Sequence, residues 1–143
     1  MRNKLCCRYN EPLMRLKSIS PSLKTNDLTK TIEFYTHKLG FSVQMLWPEA
    51  DPSLAILANG DVRLSFVMDA DDPERMPHLT GRFVVDVDGV LELHAQLSDK
   101  VEVLWGPEVY HYHRREFAIK DPNGYTLVFS EPTNDPPSTL VDD

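Results

Sequence analysis

Residues able to hold a flat or charged molecule gather at a few places in the chain. The rings are Trp47, Trp105, Tyr110 and Tyr112, with His111 and His113 interleaved, and the charges are Arg63, Arg82, Arg114, Asp86 and Glu116. Such rings stack on planar or cationic groups, at about 0.5 to 2 kcal/mol per contact. An arginine buried without a partner costs several kcal/mol, so Asp86 or Glu116 is expected to pair with Arg82 or Arg63. His111 and His113, two apart, would share one face of a strand and offer a metal two imidazoles, without a third ligand. Other chemistry finds less support. The serines of the first patterned segment have no base nearby in sequence, and Cys6 and Cys7 are adjacent, with no evident activating group. Adjacent cysteines cannot form an ordinary disulfide with each other, so nothing points to an oxidising compartment. The glycines, at 40, 60, 81, 89, 106 and 124, read as turn or cap residues, and no phosphate loop is written among them.

The elements that must position these groups are legible in local pattern. From Arg115 to Glu131 the chain reads as strand, turn and strand. Asp121-Pro122-Asn123-Gly124 supplies the turn, and Phe117, Ile119, Tyr125, Leu127 and Phe129 alternate on the core side. Upstream, Leu16 to Leu23 alternates as a short strand, and Asp27 caps a helix whose stripe is Leu28, Ile32, Tyr35 and Leu39, closed by Gly40. Strands follow at Phe41 to Trp47, Ser53 to Ala58 and Asp61 to Met68, the last two joined across Asn59-Gly60. After an acidic, proline-punctuated linker from Asp69 to His78 the pattern restarts. It gives a strand from Arg82 to Asp88, a helix on Val90, Leu93, His94 and Leu97, and strands at Val101 to Trp105, Tyr110 to Lys120 and Tyr125 to Ser130. His94 lies on the helix stripe and is expected to pack structurally. The chain thus reads as two βαβββ modules in an α+β fold, a repeat of pattern rather than of letters. Residues 1–13 read as an accessory leader, 14–131 as a single domain with modules at about 14–68 and 80–131, and 132–143 as an acidic flexible tail.

Composition sets further bounds. With 143 residues, 41% of them hydrophobic, the chain can build a real core, and no run approaches the roughly 20 apolar residues that span a bilayer. No membrane partner is expected, and the placement is cytoplasmic. A formal charge of -7 argues against nucleic acid and favours cationic ligands.

The segments D-L-T-K-T-I-E-F-Y-T-H-K-L-G-F (Asp27 to Phe41), F-V-V-D-V-D-G (Phe83 to Gly89) and R-E-F-A-I-K-D-P-N-G-Y (Arg115 to Tyr125) resemble the vicinal oxygen chelate superfamily. This superfamily includes glyoxalase I, bleomycin-resistance proteins, fosfomycin-resistance enzymes and extradiol dioxygenases. The resemblance covers Leu16 to Glu131 and is nearest to the bleomycin-resistance proteins, which share Gly106-Pro107 followed by an aromatic-rich stretch. It implies two βαβββ modules forming a curved mixed sheet around a cleft. It also implies that the metal-ligand positions of the family's enzymes fall on Ser20, Ser65, Arg82 and Val128. Serine is a poor ligand and Arg and Val cannot bind a divalent cation, so no metal and no cofactor are expected. Strand parity in that register turns Ser18, Ser20, Arg63, Ser65, Arg82, Val84, Asp86, Tyr112, Arg114, Glu116, Ala118, Thr126, Val128 and Ser130 into the cleft. Trp47 and Trp105, ending corresponding strands, are its expected walls. The ligand-binding candidates are Ser20, Trp47, Arg63, Ser65, Arg82, Trp105, Tyr110, Tyr112, His113 and Glu116. The resemblance implies a homodimer with clefts completed across a two-fold axis, and a metal-independent binder that sequesters a cationic or aromatic small molecule such as an antibiotic. The alternative is a glyoxalase-like lyase or isomerase acting on a small carbonyl or carboxylate substrate, with Glu116 or a histidine as base and an arginine holding a carboxylate.

Overall fold

A computed structural model describes residues 16–69 and 76–138. The strands and helices run β1 (Ser22–Lys24), α1 (Leu28–Glu33), a π-helical turn (Phe34–Lys38), β2 (Ser42–Trp47), β3 (Leu54–Asn59) and β4 (Val62–Val67). The second module repeats this order with β5 (Phe83–Asp86), α2 (Val90–Leu97), β6 (Glu102–Tyr110), β7 (Arg114–Lys120) and β8 (Thr126–Pro132). Each module forms a four-stranded sheet, ordered β1-β4-β3-β2 and β5-β8-β7-β6, in which the first strand runs parallel to the last and the other pairs are antiparallel. The expected α+β fold of two βαβββ modules is therefore present.

Both helices begin where short-range chemistry permits. Asp27 accepts a hydrogen bond from the Lys30 amide at 2.9 Å, as an N-cap should, and Gly40 closes the helical stretch at φ 70°. Helix α2 instead starts from Gly89, held at φ 81°, whose amide donates to Glu131 Oε2 at 2.8 Å. His94 packs edge-on against Phe117, ring centroids 5.2 Å apart, in the structural role its place on the stripe suggests.

Three boundaries differ from expectation. The first strand is only Ser22–Lys24, while Leu16 and Ile19 are each 85% exposed, so alternation there reflects no buried face. Strand β6 does not stop at Trp105 but continues through Gly106-Pro107 to Tyr110, and β7 begins at Arg114. His111 to His113 are consequently the turn of a hairpin, with His113 at φ 60°, so the two imidazoles share no strand face. Beyond Pro132 the chain lies along the domain, Arg115 pairing with Asp135 and the Ser138 hydroxyl accepting from the Val109 amide at 2.8 Å. That part of the acidic C-terminal stretch does not stand free.

One hydrophobic cluster serves both modules, joining Leu23, Tyr35, Leu57 and Phe66 to Val90, Phe117, Ile119 and Leu127. Polar groups pin the junction. Tyr125 donates its hydroxyl to the Lys24 carbonyl at 2.7 Å, and Thr25 Oγ1 lies 2.6 Å from Asn123 Oδ1. Because both sheets turn one face to this common core, each free face lies on the far side of its own sheet. A groove of about 570 Å³ runs between the modules along Leu39, Phe41, Val85, Glu92 and Leu93; none of the ten candidate binding residues lines it.

Candidate functional site

The free face of the second sheet is ordered by register. Phe117, Ile119, Leu127 and Phe129 belong to the core, so their alternating neighbours turn to the opposite face, where Glu116, Ala118, Val128 and Ser130 are themselves buried beneath the side chains around them. Cross-strand pairing aligns Val84, Val128, Ala118 and Trp105 in one row, and Asp86, Ser130, Glu116 and Glu108 in the next. Between Trp105 and Glu108 strand β6 shifts register across Gly106, which sits at φ 83°. A Cβ at Gly106 would lie 2.4 Å from the Glu116 carbonyl oxygen, so only glycine permits the backbones to approach this closely.

Beyond the row of acids, Tyr110 pairs with Arg114 at the hairpin end, and the turn folds Tyr112 back over the sheet. The Tyr112 hydroxyl donates to Glu116 Oε1, and its ring stacks on Tyr110 at 5.3 Å with planes 3° apart. Trp105 meets Tyr110 edge-on at 6.0 Å, and the Arg82 guanidinium lies 5.8 Å above the indole. Arg114 reaches back across the sheet to donate from Nε to Ser130 Oγ at 2.8 Å and to pair with Asp86.

Electrostatics follow from these placements. Partial burial of the Tyr112 hydroxyl, then its hydrogen bond to Glu116, pushes the phenol up to about 12, with Arg82 opposing. The Tyr110 phenol is raised for parallel reasons, burial first and then the carboxylates of Glu108 and Glu116. Both tyrosines therefore stay protonated donors at neutral pH.

Of the residues singled out from sequence, Arg82, Trp105, Tyr110, Tyr112 and Glu116 gather here. Ser20, Arg63, Ser65 and Trp47 belong to the first module, where Ser20 Oγ lies 3.5 Å from the Arg63 carbonyl and Trp47, ending β2, is 64% exposed. No hydrogen bond, ion pair or ring contact among the described residues joins these four to the second-module group. His113 supplies backbone to the turn, its amide donating to Tyr110 and its carbonyl accepting from Thr133. The expected ion pairs are also rearranged. Arg63 and Arg82 are exposed and make no ion pair among the described residues, while Asp86 takes Arg114 and Glu116 takes Tyr112. The sequence reading passed over Glu108. Its signal was the alternation Glu108, Tyr110 carried on past Gly106-Pro107, which is visible only once β6 is allowed to run through that pair.

The divalent ion that the family's enzymes hold does not fit the residues here. Val128 and Arg82 offer no donor and Ser20 and Ser65 only hydroxyls. Among the described residues no three of His, Cys, Asp and Glu lie together as a ligand set.

Comparison with known proteins places the fold in context. Among curated proteins none matches the chain. Solved structures do, one being a glyoxalase/bleomycin resistance protein/dioxygenase from Nocardioides, at 20% identity and TM-score 0.67 over 96% of this chain and 97% of that one. Another is the bleomycin-binding protein of bleomycin-producing Streptomyces verticillus, crystallised with copper(II)-bleomycin. It matches at 20% identity and TM-score 0.63 over 86% and 100% of the two chains. A superfamily member from Sphaerobacter thermophilus aligns at 21% identity and TM-score 0.68, covering 83% and 99%. At these identities the likeness is one of fold. The family model described as the Glyoxalase/Bleomycin resistance protein/Dioxygenase superfamily matches residues 16–129, and with the two modules above it establishes that this chain belongs to that superfamily.

Proposed function

We propose that the protein is a metal-independent binder of a small molecule, and that the ligand lies on the free face of the second sheet. The observation that carries this reading is the run of rings, Trp105 against Tyr110 against Tyr112, set beside carboxylates and capped by Arg82. Stacked and edge-on rings present π faces to a flat or cationic group, and the carboxylates favour positive charge. Sequestration of an antibiotic is the biological role that suits such a site, and the Streptomyces verticillus protein of the same fold is a bleomycin-binding protein complexed with copper(II)-bleomycin. The site is completed, in this reading, by a second copy of the chain. Each free face carries exposed apolar residues, Met45 and Trp47 on the first sheet and Val84 and Tyr112 on the second, and these suit a cleft closed between copies. The test is calorimetric titration with metal-free bleomycin, together with sedimentation analysis of the protein alone. Saturable binding by a dimer supports the reading; absence of heat or spectral change at high micromolar ligand removes the bleomycin version of it.

A second reading rests on Glu116, a carboxylate only 7% exposed and hydrogen-bonded to a phenol, the setting of a general base in a glyoxalase-like lyase or isomerase. Turnover of methylglyoxal with glutathione, lost in Glu116→Gln, would favour it.

A further inference from the structure

The row Asp86, Ser130, Glu116, Glu108 carries three carboxylates across the free face, two of them, Glu116 and Glu108, on neighbouring strands and the third beyond Ser130. Like charges directly opposed in a sheet repel one another. The first of the three is answered, since Arg114 pairs with Asp86 and hydrogen-bonds Ser130. Glu108 and Glu116 are not. They are direct cross-strand partners, and neither forms an ion pair among the described residues. What faces them is phenol: the Tyr112 hydroxyl donates to Glu116, and the Tyr110 hydroxyl lies under the influence of both carboxylates. Among the described residues the charge of Arg82 opposes the rise of both phenols, yet Arg82 is exposed and stationed over the Trp105 ring.

A ligand complementary to this arrangement needs positive charge to separate the two acids and a flat frame to lie on the rings. A bare divalent ion meets the first need poorly, because two carboxylates without a third anionic or imidazole ligand make a weak site. An organic ammonium meets both. It can hydrogen-bond two carboxylates at once, and its neighbouring carbons can sit against the tyrosine and tryptophan faces. We infer that the Glu108 and Glu116 pair is the seat of a ligand ammonium group, with the attached aromatic portion lying along Tyr110 and Trp105. This rests on the reading of the face as a small-molecule site, and it names the atom by which the molecule is anchored.

The test uses a matched pair of probes at pH 7, 2-naphthylmethylamine as the cation and 2-naphthalenemethanol as the neutral counterpart, titrated into the whole protein and followed by NMR shifts. The amine is expected to bind at least tenfold more tightly than the alcohol. Glu108→Gln should erase most of that preference while leaving the alcohol's affinity within twofold, and Glu116→Gln should do the same. Should Glu116→Gln prove unstable, Glu108→Gln, at a half-buried position, carries the test alone. Equal affinity for both probes, or a preference that survives Glu108→Gln, overturns the ammonium seat and leaves the small-molecule site standing. Failure of both probes and of bleomycin to bind overturns the two together.

Discussion

Tyr35 of the first module donates its hydroxyl to Asp121 Oδ2 of the second at 2.9 Å, inside a junction where both residues are buried. Asp121 also accepts from the amides of Asn123 and Tyr125 at 2.9 and 2.8 Å, so one carboxylate shapes the turn and fastens the modules to each other. Removing a donor from such a group leaves desolvated charge behind. Tyr35→Phe should therefore lower stability by about 1 to 3 kcal/mol. Urea unfolding with matched fluorescence and circular dichroism checks this, and both probes should report one shared transition because the modules have a single core.

The same carboxylate gives the pH profile an unusual sign. Burial raises the Asp121 carboxyl above its ordinary value, against the opposing pull of the hydrogen bonds from Tyr125, Tyr35 and Asn123. A carboxyl whose folded value is raised binds its proton more readily in the native state, so its contribution to stability falls as pH rises through the window just above the usual carboxylate range. The wild type should consequently gain relative to Asp121→Asn as pH is lowered from 7 toward 4, a difference read from melting temperatures of the two proteins across that range.

On the free face, Trp105→Ala should reduce affinity for an aromatic ligand at least tenfold, since the indole both contacts Tyr110 and supports Arg82. Trp47→Ala, at an exposed position, should leave monomer stability within about 0.5 kcal/mol. If the clefts form between copies, it should still weaken binding, and comparison of the two variants by titration separates these roles.

The phenols provide a spectroscopic check. Tyr112, pushed up to about 12, should titrate in the near ultraviolet well above a free tyrosine. Glu116→Gln should bring it part of the way back, because the carboxylate is removed while the partial burial, the larger cause, remains.

Much of this was written in the sequence where the chemistry is local. The Asp27 cap, the Gly40 stop and the alternation through Phe117, Ile119, Leu127 and Phe129 each depend on residues a few positions apart, and they emerged as read. What escaped was set by contacts distant in sequence. Gly106-Pro107 looks like a strand terminus in isolation. It becomes a mid-strand register shift only because β7 lies close enough to hold the chain on both sides of it. That single difference converted Trp105 from a strand end to an interior position, moved His111 and His113 into a turn and brought Glu108 opposite Glu116. The choice of Arg114 over Arg82 as the partner of Asp86 likewise depends on how far each guanidinium can reach across the sheet, which letters alone do not fix.

Gly106→Ala should be the most damaging small substitution on that strand. It adds a Cβ that would meet backbone at 2.4 Å and imposes a positive φ on a residue that resists it, at a cost above about 1 kcal/mol from the dihedral alone. A marked fall in melting temperature, absent for Val84→Ala on the same face, checks this.

Around that glycine, Trp105, Glu108 and Tyr110 project outward and can be exchanged without disturbing the core beneath. A lineage adapting to a new molecule could thus change its preference one side chain at a time, while the kink at position 106 stays fixed as the hinge pin on which the interchangeable parts are mounted.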